Sequence, residues 1–306
     1  MARRIYANMD GIENVKGVRD MLRWSKERRG KKKDLITQIP HAPEIQAEKI
    51  KKNTTRASVT WIGHSTFLIQ MDGLNILTDP VWARRMGVQK RLTLPGVPIE
   101  QLPAIDIVVI SHGHYDHLDF GTIKKIGGSP VFYVPAGLKA LFNKKGYQKV
   151  IEADWWEDFT HAGLKLTFVP AQHWTRRTLR DTNTSHWGGW IMEPEEGRSI
   201  YFAGDSGYFR GFKEIGEKFE LDIILMPIGA YEPEWFMSVS HINPEDAVKA
   251  FLEMNGKLFI PMHYGAYRLA DDTGPEALGR LLAEWEKRKL AERSLKALLI
   301  GETLWL

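Results

Sequence analysis

The 306-residue chain contains no cysteine, and this absence excludes several kinds of site at once. A disulfide framework, a thiolate zinc site, an iron–sulfur cluster and a cysteine nucleophile all need the missing side chain. Any transition metal must therefore be held by nitrogen and oxygen atoms. The absence of cysteine also fits a reducing compartment.

Long hydrophobic runs are missing as well. No stretch reaches the roughly 18 apolar residues that a transmembrane helix needs, and the first residues lack the apolar core of a signal peptide. We therefore expect a cytoplasmic protein whose membrane contact, if it has one, is peripheral.

Net charge is low, at +4, but it is unevenly distributed. Residues 1–34 hold 11 Lys and Arg against 5 Asp and Glu, a net +6, so the remainder carries −2. Apolar residues near helical spacing predict an amphipathic helix over residues 11–30, followed by a basic run. These apolar and basic residues are Ile12, Val15, Val18, Met21, Leu22, Trp24, Lys31, Lys32 and Lys33. The helix either docks on the body with a solvated face or contacts an anionic membrane surface.

The chain divides into two regions at Pro40 and Pro43. We predict a basic, partly helical N-terminal extension over residues 1–53 and a single body over residues 54–306. In the body, β-type runs alternate with helical stretches, which is typical of an α/β or layered α+β domain. The predicted strands are 59–71, 74–77, 105–110, 131–134, 164–169, 199–203, 222–228, 258–262 and 296–300. The predicted helices are 122–126, 137–143, 209–217, 245–254 and 276–292.

One short segment carries most of the chemistry. His112, His114, Asp116 and His117 follow the apolar run 105–110. In an extended chain residues two apart point the same way, so His112 and His114 can face one cation, while Asp116 and His117 face a second as the chain turns. Four titratable groups this crowded indicate a metal that neutralises them.

Three further ligand candidates lie at or just beyond the ends of other apolar runs, where rigid elements position functional side chains. His173 follows the run 164–169, Asp205 follows 199–203, and His263 follows 258–262. Together with the short segment they supply five histidines and two aspartates.

These motifs resemble the metallo-β-lactamase fold superfamily and, within it, the N-acylphosphatidylethanolamine-hydrolysing phospholipase D family. The resemblance covers residues 54–302. Its motifs are Trp61-Ile62-Gly63-His64-Ser65-Thr66, Leu77-Thr78-Asp79-Pro80, Ser111 to Asp119, Asp154-Trp155-Trp156-Glu157, Gln172-His173-Trp174, Phe202 to Tyr208 and Pro227 to Pro233.

The resemblance implies a four-layer αββα sandwich, here with a helical N-terminal extension, and makes residues 54–306 a metallo-β-lactamase-like hydrolase domain. It implies two zinc ions per chain, with manganese or iron as alternatives. It divides the ligands into two groups that share Asp205 as a bridge: His112, His114 and His173; and Asp116, His117 and His263.

The resemblance also implies roles for residues around the ligands. It places Asp79 where a carboxylate orients a ligating imidazole, and it makes Tyr115 and His241 face the phosphate of the substrate. Asp116 and Asp205 are candidates for protonating the leaving oxygen, as is a water. The family further suggests a homodimer.

The leading functional hypothesis is phospholipase D-type hydrolysis of N-acyl-phosphatidylethanolamine or a related phospholipid. A second hypothesis keeps the metals but assigns a soluble phosphodiester, lactone or other ester. A third is a nucleic-acid-processing or nucleic-acid-binding protein that uses the basic arm. Because the arm lacks interleaved aromatic and basic residues, we do not expect nucleic acid as a partner.

Four other histidines are not assigned as ligands. His64 is predicted to be a buried histidine near the metals with its hydrogen bonds satisfied. His41, His161 and His186 have no motif support and are interpreted as ordinary surface or hydrogen-bonded residues. Arg176, Arg177 and Arg180 either recognise phosphate or pair with acids such as Asp181. Seven aromatic residues either line an apolar groove beside the metals or pack under loops: Trp155, Trp156, Trp174, Trp187, Trp190, Trp235 and Phe236.

Overall fold

The computed structural model describes residues 4–14, 16–30, 33–87 and 89–306. Val15, Lys31 and Lys32, which the sequence assigns to the amphipathic helix and the basic run, lie outside the described residues. The helices are α1 (Val18–Gly30), α2 (Ala47–Lys52), α3 (Phe120–Ile126), α4 (Lys139–Lys144), α5 (Gly211–Lys218), α6 (Glu234–Met237), α7 (Pro244–Glu253) and α8 (Gly274–Lys287). The strands are β1 (Ser58–Gly63), β2 (Thr66–Met71), β3 (Leu74–Thr78), β4 (Arg85–Met86), β5 (Gln89–Lys90), β6 (Ile107–Val109), β7 (Val131–Pro135), β8 (Val150–Ala153), β9 (Asp158–His161), β10 (Leu164–Val169), β11 (Gly189–Glu193), β12 (Ile200–Phe202), β13 (Ile223–Pro227), β14 (Leu258–Met262) and β15 (Thr303–Trp305).

Two large mixed sheets form the centre of the molecule. The first has the strand order β15-β1-β2-β3-β6-β7-β8, and the second has the order β14-β13-β12-β11-β10-β9. Within them β3, β6, β7 and β8 pair in parallel, as do β12, β13 and β14. Parallel strands end at the same edge of a sheet, so the loops that follow them are brought close together.

Side-chain alternation along the strands divides the core into layers. In β2, Phe67 and Ile69 belong to the cluster that contains the second sheet, whereas Leu68 packs with α3 and α4 on the other face. On the outer face of the second sheet, α5, α7 and α8 contribute Phe212, Phe251 and Trp285 to the core. The order is therefore helix, sheet, sheet, helix, and the predicted αββα sandwich with a helical N-terminal extension is confirmed.

The predicted continuous strand 59–71 is wrong. The chain forms a hairpin instead, in which β1 and β2 pair antiparallel. Gly63 and His64 turn the chain with φ values of 131° and 57°. Positive φ suits glycine but is uncommon for other residues, so the apolar residues on both sides conceal the turn in the sequence.

Residues 296–300 are also predicted to form a strand, but they do not form one among the described residues. Leu295 and Ile300 make only isolated bridges, to Phe259 and His41. The strand that closes the first sheet is β15, which pairs antiparallel with β1.

The N-terminal residues are docked on the body at several points. The Trp24 indole donates to Asp271 at 2.7 Å and its ring lies 4.8 Å from the Phe236 ring. Lys33 forms ion pairs with Glu232 and Glu276.

The division at residue 53 stays a prediction. Among the described residues, no helix has the length and apolar character needed to cross a bilayer.

Candidate metal centre

The candidate ligands lie on loops that leave the same edge of the two sheets. The segment 110–119 follows β6, and Asp79 directly follows the neighbouring β3. From the second sheet, His173, Asp205 and His263 follow β10, β12 and β14. Residues from distant parts of the sequence therefore meet where the strands end.

Three imidazoles form the first half-site, which we define as His112, His114 and His173. His112 Nε2 and His173 Nε2 lie 2.9 Å and 3.2 Å from His114 Nδ1. His112 and His173 are buried, and His114 is partly buried. Their ligand atoms are close enough to surround one ion.

A carboxylate and two imidazoles form the second half-site, defined as Asp116, His117 and His263. His117 Nε2 and His263 Nε2 lie 3.4 Å and 3.7 Å from Asp116 Oδ2. The ligand atoms of these residues and of His64 all lie within 4.8 Å of one another.

Asp205 lies between the two half-sites. Its Oδ2 is 3.9 Å from His173 Nε2 in the first half-site and 3.2 Å from His117 Nε2 in the second. Its Oδ1 is 3.0 Å from His263 Nε2. One carboxylate with two oxygens thus faces ligands of both half-sites, which is the geometry that a bridging aspartate needs.

Outer hydrogen bonds fix the orientation of several imidazoles. His117 Nδ1 donates to Asp79 Oδ2 at 2.6 Å, and Asp79 also accepts from the backbone N–H and hydroxyl of Ser111. His173 Nδ1 donates to the Ser240 carbonyl at 2.9 Å. In both residues this places the proton on Nδ1 and directs the Nε2 lone pair into the centre.

The pKa values follow from burial and mutual charge. Burial lowers the pKa of His112 and His173 well below the ordinary value, and neighbouring histidines add to this effect. Burial alone would raise the pKa of Asp205, but His117 and His263 hold it well below its ordinary value. The imidazoles of the first half-site are therefore neutral around an ionised carboxylate. Despite burial, Asp205 and Asp116 raise the pKa of His117 and His263, so a divalent ion would displace their protons.

Unpaired buried atoms provide a direct test of whether a metal fits. His117 Nε2 and His263 Nε2 lie 3.2 Å and 3.0 Å from the Asp205 oxygens. Among the described residues, however, neither these buried nitrogens nor Asp205 Oδ1 makes an aligned hydrogen bond. Buried polar atoms are rarely left without a partner, because each one costs desolvation free energy. All three point into the centre, so metal ions fit the residues present.

The two predicted substrate residues lie at the rim of this centre. We call the segment 110–119 the metal loop. The Tyr115 side chain is half exposed on this loop, and its hydroxyl donates to the Arg177 carbonyl at 3.0 Å. His241 Nδ1 is 3.7 Å from Asp205 Oδ2, and its side chain is 14% exposed. Burial lowers the pKa of His241 to about 4. Tyr115 is therefore accessible on the segment that carries the ligands, and His241 lies beside Asp205 with a small part of its side chain exposed.

Arg177 has a different contact from either of the two that the sequence suggested. Its Nη1 donates to the carbonyls of Gly113 and Leu118 at 2.7 Å and 2.9 Å, and its guanidinium lies 4.1 Å from the centre of the Tyr115 ring. The Asp181 carboxylate accepts from backbone N–H groups, including that of Arg177. Arg177 therefore links two positions of the metal loop, Gly113 and Leu118, through hydrogen bonds to their carbonyls.

Sequence reasoning missed Asn8 entirely. Its side-chain oxygen accepts from the His173 backbone N–H and from the Trp187 indole, both at 2.9 Å. Six residues later, Asn14 donates to Ser240 Oγ at 3.2 Å. The N-terminal segment thus supports the first half-site from outside, and no local pattern in the sequence signals it.

Most of the candidate aromatic residues pack in the core instead of forming a groove. Trp187 and Trp190 are fully buried, and Trp235 packs with Phe236. Trp174 is the exception, because its ring lies 4.7 Å from the His114 ring. His186, which had no motif support, packs against the rings of Tyr6 and Trp155.

Comparison with known proteins places this geometry in a family. A model of the β-lactamase superfamily domain matches residues 74–264, more than half of the chain. An uncharacterized protein of Mycobacterium tuberculosis is 39% identical over 247 residues, covering 76% of this chain and 65% of its own. The N-acyl-phosphatidylethanolamine-hydrolyzing phospholipase D 1 of Caenorhabditis elegans is 40% identical over 227 residues, covering 68% of this chain and 64% of its own. The matched part thus spans slightly less than two thirds of these two relatives.

Other relatives are aligned over more of their length. A metal-dependent hydrolase of Methanopyrus kandleri is 32% identical over 214 residues, covering 68% of this chain and 84% of its own. Among solved structures, the metallo hydrolase Igni18 of Ignicoccus hospitalis has a TM-score of 0.64 at 24% identity, and covers 82% of this chain and 99% of its own. The similarity extends from sequence to fold. This chain belongs to the β-lactamase superfamily, and it has the metallo-β-lactamase fold.

Proposed function

We propose that this chain is a dinuclear zinc-dependent phosphodiesterase that hydrolyses N-acyl-phosphatidylethanolamine, or a related phospholipid, as a phospholipase D does. The position of Asp205 between the two half-sites carries the dinuclear part of the proposal. The relative from Caenorhabditis elegans, named for this hydrolysis, and a similarly named mitochondrial protein of Saccharomyces cerevisiae support the substrate.

In this proposal one ion is held by the first half-site, the other by the second half-site, and Asp205 is shared. Donors that are all nitrogen or oxygen suit zinc, with manganese or iron as alternatives. When bound, a pair of divalent cations supplies Lewis acidity that activates water and neutralises charge on a phosphoryl group.

The residues of the chain then bind and orient the substrate. Tyr115 and His241 face its phosphate from the accessible rim. In this proposal Asp116 or Asp205 accepts a proton from the attacking water and passes it to the leaving oxygen. Asp79 is completely buried and bonded to His117 and Ser111, so it acts by holding the His117 imidazole.

A basic cavity beside the metal loop supports an anionic substrate. Its volume is about 580 Å³, and its lining includes Arg4, Lys144, Arg176 and Arg177. It adjoins the loop through Thr175, whose hydroxyl lies 2.7 Å from the position that a Cβ on Gly113 would take. Positive charge next to the metals would attract a phosphodiester.

Peripheral membrane contact is part of the proposal. On α1, Val18, Met21 and Leu22 are 77%, 51% and 65% exposed, while Trp24 and Arg28 hold the helix to Asp271. Exposed apolar residues at helical spacing among basic residues suit an anionic bilayer surface. Replacing all three with serine should reduce sedimentation with anionic vesicles and leave hydrolysis of detergent-dispersed lipid unchanged.

The deciding experiment uses the purified protein, N-acyl-phosphatidylethanolamine and other phospholipids. We expect metal-dependent release of phosphatidic acid that is lost in Asp205→Ala. A protein that binds two metals but hydrolyses none of the lipids would contradict the substrate assignment. A preference for small soluble phosphodiesters, lactones or other esters would establish the second hypothesis, and light scattering tests the predicted homodimer.

A further inference from the structure

His64 lies against the second half-site although neither ligand group includes it. Its Nε2 is 3.2 Å from Asp116 Oδ2, closer than the corresponding nitrogens of His117 and His263. The residue is 1% exposed and precedes the 74–264 segment that the family model matches. The sequence motif predicted a satisfied histidine here, but the described structure leaves its Nδ1 without a hydrogen-bond partner.

The backbone and ring of His64 are both held in place. Its φ of 57° is a conformation that costs a residue other than glycine free energy. Its carbonyl accepts from the Trp61 indole at 2.9 Å and from the His263 backbone N–H at 3.2 Å. Its ring packs 4.2 Å from the His263 ring and meets the Tyr267 ring edge-on at 5.4 Å. The imidazole is therefore fixed toward Asp116.

We propose that His64 is a positioning residue of the second half-site, which donates its Nε2–H to Asp116 Oδ2 and so fixes the orientation of that carboxylate toward the metal. This inference rests on the proposed dinuclear site but not on the identity of the substrate. It deepens the proposed function because it names a residue that contributes to the affinity of the second half-site for its metal ion.

The hydrogen bond made by Nε2 distinguishes this role from direct metal ligation. A neutral imidazole carries one N–H. The Nε2 of His64 makes a hydrogen bond to Asp116 Oδ2, whereas the Nε2 atoms of His117 and His263 make none among the described residues. The Nδ1 of His263 is unpaired as well, so an unpaired Nδ1 does not separate the two roles. With the proton on Nε2, the bond to Asp116 is made and only a lone pair on Nδ1 is unused.

The first test compares His64→Leu with His64→Gln, because a glutamine amide N–H can replace the Nε2–H and leucine cannot. Zinc affinity is measured for each of the two binding steps by chelator competition. We expect His64→Leu to weaken one step by about 10- to 100-fold and His64→Gln to stay within about threefold of the unmodified protein. If glutamine binds as weakly as leucine, or if leucine has no effect, the positioning role is wrong.

His186 provides a matched control. It is 5% exposed, its Nδ1 also has no partner within the described ranges, and its ring stacks on Tyr6 away from the second half-site. His186→Leu should retain both ions with unchanged affinity. A loss of zinc in this variant equal to that in His64→Leu would show that removing any buried histidine is sufficient, and would overturn the proposal.

A second measurement needs no variant to fold. Nitrogen NMR of the cadmium-loaded protein with isotope-labelled histidines should show His64 protonated at Nε2 without coupling to cadmium. His117 and His263 should show coupling at Nε2. Cadmium coupling at His64 would make it a ligand and overturn the positioning role. A protein that takes up neither zinc nor cadmium would instead refute the proposed dinuclear site.

Discussion

The two half-sites differ in charge and in what supports them. The first half-site contains only imidazoles, and no carboxylate in the described part of the chain is hydrogen-bonded to them. The Ser240 carbonyl and Asn8 hold His173, and the Ser111 hydroxyl contacts His112 Nδ1 at 2.9 Å. The second half-site contains a carboxylate, and a second carboxylate, Asp79, holds its His117. The second half-site therefore attracts cations more strongly, and it attracts protons more strongly as well. Changes to the shared aspartate, to the pH and to the supporting residues test this difference in charge and support.

Removing the shared aspartate should have the largest effect, because Asp205 faces both half-sites. We expect Asp205→Ala to lose both equivalents of zinc at micromolar metal and more than about 10³-fold in hydrolysis, since neither ion keeps its bridge. Metal analysis and a hydrolysis assay measure the two losses. Asp106→Ala, which removes a carboxylate at the opposite end of β6, is the control. Retention of both ions in Asp205→Ala would show that the half-sites are independent.

Lowering the pH should separate the two half-sites. Burial would lower the pKa of His263, but Asp205 and Asp116 raise it to about 9. Burial lowers the pKa of His114 to about 4. Between these values an ion must displace a proton from His263 but not from His114. Despite burial, Asp205 and Asp116 also raise the pKa of His117 well above its ordinary value, so up to two protons are displaced. Zinc affinity of the second half-site should therefore fall about 10- to 100-fold for each pH unit below 9, whereas that of the first half-site should change little above about pH 5.

Chelator competition at about pH 8, 7 and 6 measures both binding steps. One step should depend steeply on pH and the other only weakly. Two steps with the same slope would mean that the half-sites do not differ in proton affinity in the way their charges indicate.

Neutralising the outer carboxylate should weaken the second half-site more than the first, because Asp79 is bonded directly to His117 but is linked to His112 only through the Ser111 hydroxyl. Asp79→Asn keeps an acceptor for His117 but removes the negative charge, so we expect a loss of about 10- to 100-fold in affinity for one ion. Asp222→Asn is a close control, because Asp222 also accepts from the backbone N–H and hydroxyl of a serine, Ser199, at a strand end. An equal loss at both binding steps would contradict the separate support of the two half-sites.

The smallest effect is expected from Asn8, which supports the first half-site through the His173 backbone. Asn8→Ala leaves the buried backbone N–H of His173 without its acceptor, so the free energy of unfolding should fall by about 1–3 kcal/mol. The Trp187 indole loses one of its two acceptors and keeps the Ala171 carbonyl at 3.1 Å. Asn8→Asp keeps an acceptor and should recover most of this loss. Urea unfolding gives the free energies, and the affinity of the second half-site should not change in either variant.

Local sequence predicts those parts of the centre whose residues are close together or end an apolar run. The segment 112–117 is contiguous, and His173, Asp205 and His263 each follow a buried strand, so all of them could be found without the structure. Asn8 could not, because its contact with His173 crosses 165 positions and depends on how the N-terminal segment packs.

The role of His64 was hidden by the same feature that hid the β1–β2 hairpin. Its neighbours are uniformly apolar, so the pattern predicted one long strand, and the turn depends on the backbone conformation of Gly63 and His64. Arg177 was recognised as a cation near the metal loop. Its contacts with the Gly113 and Leu118 carbonyls depend on loop geometry that periodicity does not encode.

The spread of the ligands along the chain also determines when the centre can form. During synthesis the segment 112–117 emerges well before His173 and Asp205, and His263 emerges last, when its backbone N–H can bond to the His64 carbonyl. Until then the second half-site lacks one of its two imidazoles. A site that is assembled by folding adds its binding free energy to folding. In the proposed dinuclear site, complete metal uptake would therefore be a late event that marks a finished domain.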